Sequence, residues 1–524
     1  MLRRFFAFAI AGGCLFGCGG QSSAPLISLP QAFPPGLDRG VTRDSNNNEL
    51  PEPPVVRSVD GVARVPLSVT WRLATRLPQF VYNGQAGAAP TIRVNPGDTI
   101  LLDVTDDLPT GGGEKFDINI HFHGIGSSPR APGDDVLGML ARPGQALHYV
   151  VHIPKNQEPG LYWYHPHVHG QTNYQVGVAG MSGAIIVNGL ERHVPGLAKM
   201  KEHVIIVRDN VLGDAAESQQ SSGDTDGMSG MEPVRPQVIN SQPCGPEFGA
   251  TTTLNNAFQP AITIAPGEKQ FFRLINATGH KTLKLAVDGS KLEVVAIDGF
   301  PLDTWHGTPP TLTESSAIVP PAARVEFVVT GPRRPAAKFW TLCYDSGPAG
   351  DRDPQLELAR LRPPKGGSAS KSPMPEPLRA GAPLPQNVYT SQLPPVAVHR
   401  VVVFSETNTH FLINHKIFSM SDPPMFVVHT GTVEEWLVRN ITGEVHDFHI
   451  HQVHFVVTEI NGVKVSHPHW ADSEVIPHRR RSGKAGTLLM LLDFRDPVIK
   501  GTFLFHCHIL DHEDRGMMAK IQAI

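Results

Sequence analysis

The sequence predicts an all-β chain built as three tandem sandwiches, on three observations. Gly (50) and Pro (48) together make up nearly a fifth of the 524 residues, against average usage of about 7% and 5%. A chain punctuated that often by turn residues favours short strands over long helices. One strand–turn–strand pattern then occurs three times. It runs Ile92-Arg93-Val94, Asn95-Pro96-Gly97 and Ile100-Leu101-Leu102. It returns as Ile262-Thr263-Ile264, Ala265-Pro266-Gly267 and Phe271-Phe272-Arg273-Leu274, and again as Phe426-Val427-Val428, His429-Thr430-Gly431 and Trp436-Leu437-Val438. The turn glycines lie 170 and 164 residues apart, and a period that long means tandem domains rather than solenoid repeats. Finally, Leu67-Ser68-Val69-Thr70-Trp71-Arg72-Leu73 alternates with the period of two expected of half-buried strands.

Taken in order, the chain opens on Arg3 and Arg4 and an apolar stretch from Phe5 to Phe16, the pattern of an export signal. Arg3-Arg4-Phe5-Phe6 resembles a twin-arginine signal. Leu15-Phe16-Gly17-Cys18 resembles a lipobox, although Phe16 is bulky for that position, and makes Cys18 a candidate lipid anchor. Residues 1–18 are therefore expected to be a signal peptide, and 19–55, rich in Ser, Pro and Asn, a disordered tether. The sandwiches are expected at 56–198, 199–362 and 396–524. A Pro/Gly/Ser-rich linker, 363–395, precedes the third. No apolar run beyond the amino terminus reaches the ~18 residues of a membrane-spanning helix. Lys+Arg 45 against Asp+Glu 49 leaves a formal net charge of -4, which argues against a nucleic-acid partner.

Histidine carries the chemistry. Gly160-Leu161-Tyr162-Trp163-Tyr164-His165-Pro166-His167 in the first repeat matches Gly501-Thr502-Phe503-Leu504-Phe505-His506-Cys507-His508 in the third, and His121-Phe122-His123 answers His449-Ile450-His451. The middle repeat has Ala337-Lys338-Phe339-Trp340-Thr341-Leu342-Cys343 at that place, so it reads as a spacer without a metal site. Residues i and i+2 of a strand share a face, so each His-x-His is a two-pronged ligand. By the same parity Cys507 and His446 face away from their neighbouring pairs, into their own sandwich. With His512 and Met517 they make up the His₂Cys set with a weak axial Met of a blue-copper site. Tetrahedral zinc is the rival, but its structural sites use more cysteines in C-x₂₋₄-C spacing, so copper is favoured.

These residues resemble the copper signatures of the multicopper oxidases, the laccase-like proteins, across about 56–524. The resemblance rests on His121-Phe122-His123-Gly124, Tyr164-His165-Pro166-His167, His446-Asp447-Phe448-His449-Ile450-His451, and the run from His506 through Cys507, His508, His512 and Met517. It implies three tandem cupredoxin-like Greek-key β-sandwiches and four copper ions. A type 1 copper would take His446, Cys507, His512 and Met517, and a type 2 copper His121 and His449. One type 3 copper would take His123, His165 and His508, the other His167, His451 and His506. Gln452 departs from the pattern, because many members carry Gly after the third signature. Asp134 or Asp135, and Glu513, are candidate proton carriers beside the cluster, and Cys507 with His506 and His508 makes the electron path between sites. Of the five cysteines, Cys244 and Cys343 are the two thiols left over once the signal, with Cys14, is cut away, Cys18 is lipidated or removed and Cys507 binds copper. They are expected to pair in an oxidising compartment.

The implied activity couples one-electron oxidation of phenol-like or aromatic amine substrates to four-electron reduction of O₂ to water, with electrons entering at an exposed edge of His446 or His512. One alternative is a metallo-oxidase acting on Cu(I) or Fe(II) in copper tolerance. Members of that kind carry a Met-rich insertion over the type 1 site. Here the linker has only Met374, and the third domain has no Met cluster beyond Met517-Met518. A further alternative, a non-catalytic periplasmic copper-binding or envelope protein, is disfavoured by the complete ligand set. The expected partners are O₂ and a small reducing substrate. The expected location is extracytoplasmic, either periplasmic or membrane-anchored through a lipid on Cys18.

Overall fold

The computed structural model describes residues 48–524 apart from 74, 88, 111–115, 212–243, 245–249, 335, 365–373, 380–381 and 383–392. The expected signal at 1–18, with Cys18, and most of the stretch 19–55 lie outside the described residues. Among the described residues the regular structure is almost all strand, arranged as six sheets in three face-to-face pairs.

The first pair holds two five-stranded sheets, spanning Val55–Arg57 to Gly183–Val187. The second and third pairs each combine a seven-stranded with a five-stranded sheet, with matching strand orders. That shared topology is what a duplicated domain leaves behind. The predicted alternation is visible in the strand Val62–Arg72, where Ala63, Val65, Leu67 and Val69 are buried and the residues between them are not. They meet Ile92, Val94 and Ile185 of the opposing sheet in one core. The third core is built the same way, with Trp436, Leu488 and Met490 against Phe448, Phe503 and Phe505.

The threefold repeat is a corner rather than a hairpin. Thr91–Val94 lies in one sheet of the first pair and Thr99–Asp106 in the other. Ala261–Thr263 and Lys269–Asn276, and Phe426–Val428 and Thr432–Asn440, divide between sheets in the same manner. Gly97, Gly267 and Gly431 sit at φ +84°, +81° and +87°, a left-handed backbone that glycine enters without a Cβ clash.

The sandwiches share buried surface. Leu161 and Trp163 of the first, Val204, Ile206 and Ile275 of the second, and Leu510 of the third form one apolar cluster. Two segments expected as unstructured are partly seated. Leu50 packs in the middle core, and its N–H donates to the Ala261 carbonyl at 2.8 Å. In the linker, Arg379 pairs with Asp98 of the first sandwich at 2.7 Å.

Candidate metal centres

Strand pairing brings the four His-x-His pairs together. His121–His123 runs antiparallel to Gly160–His165 with His121 opposite His165, and in the third sandwich His449 stands opposite His506. Alternation sends Phe122, Tyr162 and Tyr164 into the first core, and Phe448, Phe505 and Cys507 into the third. The imidazoles are thereby turned toward the shared interface. All eight are buried. His121 stacks on His451 at 3.8 Å between ring centroids and His123 on His449 at 3.9 Å, each pair joining the first sandwich to the third. His506 Nε2 lies 3.2 Å from Nε2 of both His167 and His451. The rings of His123, His165 and His508 stand 5.4–5.8 Å apart.

The ring nitrogens divide into two kinds. His121 Nε2, His123 Nδ1, His165 Nε2, His449 Nε2, His451 Nδ1 and both nitrogens of His508 are buried without a hydrogen-bond partner among the described residues. Buried polar atoms are rarely left so, because each costs about 1–3 kcal/mol. The opposite edges of most of these rings are tied down. His121 Nδ1 meets Asp134 at 2.9 Å, His123 Nε2 meets Asp472 at 3.0 Å, and His449 Nδ1 donates to the Asp472 carbonyl at 2.8 Å. An imidazole anchored on one nitrogen and bare on the other is the pattern of a metal ligand. Burial, then neighbouring imidazoles, hold His165, His449 and His451 well below the ordinary imidazole range; at His123 burial is followed by the Arg324 guanidinium and then the imidazoles. Burial also brings His167 to about 4 and His508 to about 3. These rings are therefore neutral, the form that binds a metal. The donor set fits metal ions.

A second cluster sits inside the third sandwich. His446 Nδ1 lies 3.0 Å from His512 Nδ1, and Cys507 Sγ is 3.7 Å from each. Cys507 is fully buried and is the free cysteine among the described residues. Burial pushes its thiol well up, so a thiolate here calls for a bound cation. Met517 is buried in the same core, and its carbonyl accepts from the Cys507 N–H at 3.0 Å. The single helical turn Leu510–Asp514 serves both clusters. His512 turns toward Cys507, while Glu513 reaches His506 Nδ1 at 3.1 Å and accepts from the Thr172 hydroxyl at 2.8 Å.

The geometry separates the two aspartate candidates. Asp134 is buried and accepts from the Phe122 N–H at 3.0 Å and from the Gln452 amide at 2.6 Å, besides meeting His121. Asp135 is not brought to the cluster; its carboxylate accepts from the Gly138 N–H in a turn. The expected exposed edge of a type 1 histidine is absent. His446 is 0% and His512 3% exposed, the latter covered by Phe411 stacked at 3.9 Å. Thr442 lines a surface cleft, and its hydroxyl is 3.0 Å from His446 Nε2. Gln452 takes φ +58°, which explains why glycine suits this position. Sequence reasoning passed over Asp472, Arg324 and Thr442, none of which belongs to a repeated motif. In the middle sandwich the strands equivalent to the signature pairs carry Leu285 opposite Thr341, and the aligned Cys343 forms a disulfide with Cys244.

Models of multicopper oxidase domains match residues 68–192, 163–362 and 392–523. The chain belongs to the multicopper oxidase family. Copper is the cofactor this membership implies, and oxidoreductase is the enzyme class. A Staphylococcus aureus multicopper oxidase is 23% identical over 449 residues, covering 84% of this chain and 83% of that protein. A Campylobacter jejuni multicopper oxidase, described as a metallo-oxidase, superposes with a TM-score of 0.68 at 22% identity over 94% of this chain and 98% of that one. A laccase-like oxidase from Ochrobactrum sp., described as acting on lignin model compounds and lignosulfonate, gives 0.65 at 22% identity over 91% and 100%.

Proposed function

We propose that this multicopper oxidase is an exported, laccase-like enzyme that removes single electrons from phenol-like or aromatic amine substrates and reduces O₂ to water. One observation carries the reading: Cys507, between His446 and His512, is joined through the backbone to His506 and His508 of the other cluster. Four coppers are held in this reading. The type 1 ion takes His446, Cys507, His512 and Met517, and the type 2 ion His121 and His449. One type 3 ion takes His123, His165 and His508, and the other His167, His451 and His506. When bound, these ions supply the one-electron and O₂ chemistry.

The chain does the rest. It buries all eight cluster imidazoles away from bulk water and fixes which nitrogen of His121, His123, His165 and His449 faces inward. It also keeps two carboxylates at hand as proton holders, Asp134 at His121 Nδ1 and Glu513 at His506 Nδ1. The reductant docks in the cleft lined by Ser405, Glu406, Ile441, Thr442 and Arg479, one hydroxyl away from His446.

A second reading, Cu(I) or Fe(II) as the electron donor, is favoured by two carboxylates, one beside His512 and one at this entrance. Glu444 Oε2 lies 3.6 Å from His512 Nε2, and Glu406 lines the cleft. The absence of a Met cluster in the third domain weighs for the organic reductant. O₂ uptake by the copper-loaded protein with a phenol, Cu(I) and Fe(II) in turn separates the two. Fast turnover of the phenol, unaffected by Glu444→Gln, supports the first reading. Metal-ion turnover that collapses in Glu444→Gln supports the second. No uptake with any donor returns the chain to a non-catalytic copper-binding role.

Export belongs to the same proposal. The Cys244–Cys343 disulfide suits an oxidising compartment, in line with Arg3-Arg4 and the lipobox-like run ending at Cys18. Mass spectrometry of the mature protein should find an acylated Cys18 at its amino terminus; an unmodified terminus elsewhere would remove the anchor.

A further inference from the structure

The middle sandwich holds no histidine pair, yet it reaches the cluster. Arg324, on the strand Arg324–Thr330, is fully buried and touches all three sandwiches. Its Nη1 and Nη2 each donate to one oxygen of Asp472 in the third sandwich at 2.6 Å. Its Nε donates to the Leu161 carbonyl in the first at 3.2 Å, on the strand that carries His165. Within its own sandwich, Nη2 donates to the Asp298 carbonyl at 2.9 Å. The Asp298 carboxylate in turn accepts from the Asp472 and Ser473 N–H groups at 3.0 and 3.1 Å. Asp472 is thus held at both its side chain and its backbone by the middle domain.

Asp472 meets the cluster on its other side. Its Oδ1 is 3.0 Å from His123 Nε2, and its carbonyl accepts from His449 Nδ1 at 2.8 Å. These two contacts decide that His123 presents Nδ1 inward and His449 presents Nε2, the two nitrogens left without partners. Gly124, directly after His123, supplies the room. It sits at φ +81°, and a Cβ there would lie 2.5 Å from Arg324 Nη2 and 2.8 Å from Asp472 Oδ2. The glycine of the first signature is therefore required by the Arg324–Asp472 pair as well as by its backbone angle.

We infer that Arg324 is a positioning residue for the three-copper cluster: its bidentate grip on Asp472 sets the ring orientation and inward nitrogen of His123 and His449. Lysine cannot replace that grip, because an ammonium is a point charge without the planar fork. The inference deepens the function proposed above and rests on it. Outer contacts of this kind typically change metal affinity 10–100-fold.

The test is Arg324→Lys in the full-length, copper-loaded protein, with the charge-neutral pair Arg324→Met/Asp472→Asn made alongside. Removing Arg324 alone leaves a buried charge unpaired, which is strongly destabilising; the pair avoids that. Copper content, the type 2 electron paramagnetic resonance signal and the blue absorption band are measured together. The expected result is a changed type 2 signal and about 10–100-fold weaker copper retention at the cluster, with the blue band intact, since no contact joins Arg324 to His446, Cys507 or His512 among those described. Wild-type type 2 signal and copper retention in both variants overturn the inference. So does loss of the blue band in parallel, which would make Arg324 merely structural. Failure of wild-type protein to show a type 2 signal would instead overturn the cluster assignment.

Discussion

Cys507 and Phe448 are register partners on neighbouring strands, and the residue after Phe448, His449, points the other way. Substitutions at Cys507 and His449 should therefore fail differently. On the proposed function, Cys507→Ser should abolish the blue colour and turnover while leaving copper at the histidine cluster largely loaded, because serine keeps His506 and His508 in place. His449→Ala should keep the blue band and lose O₂ reduction. Copper stoichiometry and visible absorption on both variants check this; a bleached band in oxidised His449→Ala would break the two-site division. Met517→Leu should raise the type 1 potential, since the axial ligand tunes it. A redox titration with no shift would take Met517 out of the ligand set. Gln452 offers a stability test. Its left-handed backbone (φ +58°) costs an L-residue about 1–2 kcal/mol, so Gln452→Gly should be more stable than Gln452→Ala by about 1 kcal/mol in denaturant melts, the reverse of the usual order. The paired histidines were legible in the sequence because a period of two and a duplication both mark them. Arg324, Asp298 and Asp472 were not. Their roles arise where three sandwiches meet, from residues up to 349 positions apart, and no local pattern records that.

At the level of elements, the strand–turn–strand repeat was readable but its use was not. A left-handed glycine in the turn after a strand looks the same whether the chain turns back or crosses to the facing sheet; here it crosses. The disulfide was expected from a count of thiols, and its partners lie 99 residues apart in sequence. Removing it as Cys244→Ser/Cys343→Ser should cost about 2–5 kcal/mol, as for native disulfides generally, read as a lowered denaturation midpoint. Another element-scale prediction concerns pH. Burial raises Asp353 to about 8, with Asp351 adding to the rise and His280 and Lys281 opposing it. Its folded pKa exceeds its unfolded value of 3.8, so its share of stability is full below about pH 4 and is lost as pH rises toward about 8. Asp353→Asn should flatten the pH dependence of Tm across that window. An unchanged slope would mean that Asp353 titrates normally.

On the scale of the whole molecule, the cluster exists only where the first and third sandwiches face each other, with the second holding them in register. Besides Arg324, a buried chain of charges crosses from Arg93 of the first to Glu202, Arg273 and Glu326 of the second, and Glu326 accepts from the Leu161 N–H at 2.9 Å. The three-domain plan was legible because the repeat is long and its glycines are fixed. The structural part of the middle domain was hidden because it carries no paired histidines to mark it. The central claim is that eight imidazoles and the Cys507 site form one device for delivering four electrons to O₂. Its most direct test is the ratio of one-electron donor oxidised to O₂ consumed by the copper-loaded protein, with peroxide assayed in the same vessel. The account predicts four electrons per O₂ and no peroxide; two electrons per O₂ with accumulating peroxide would contradict it.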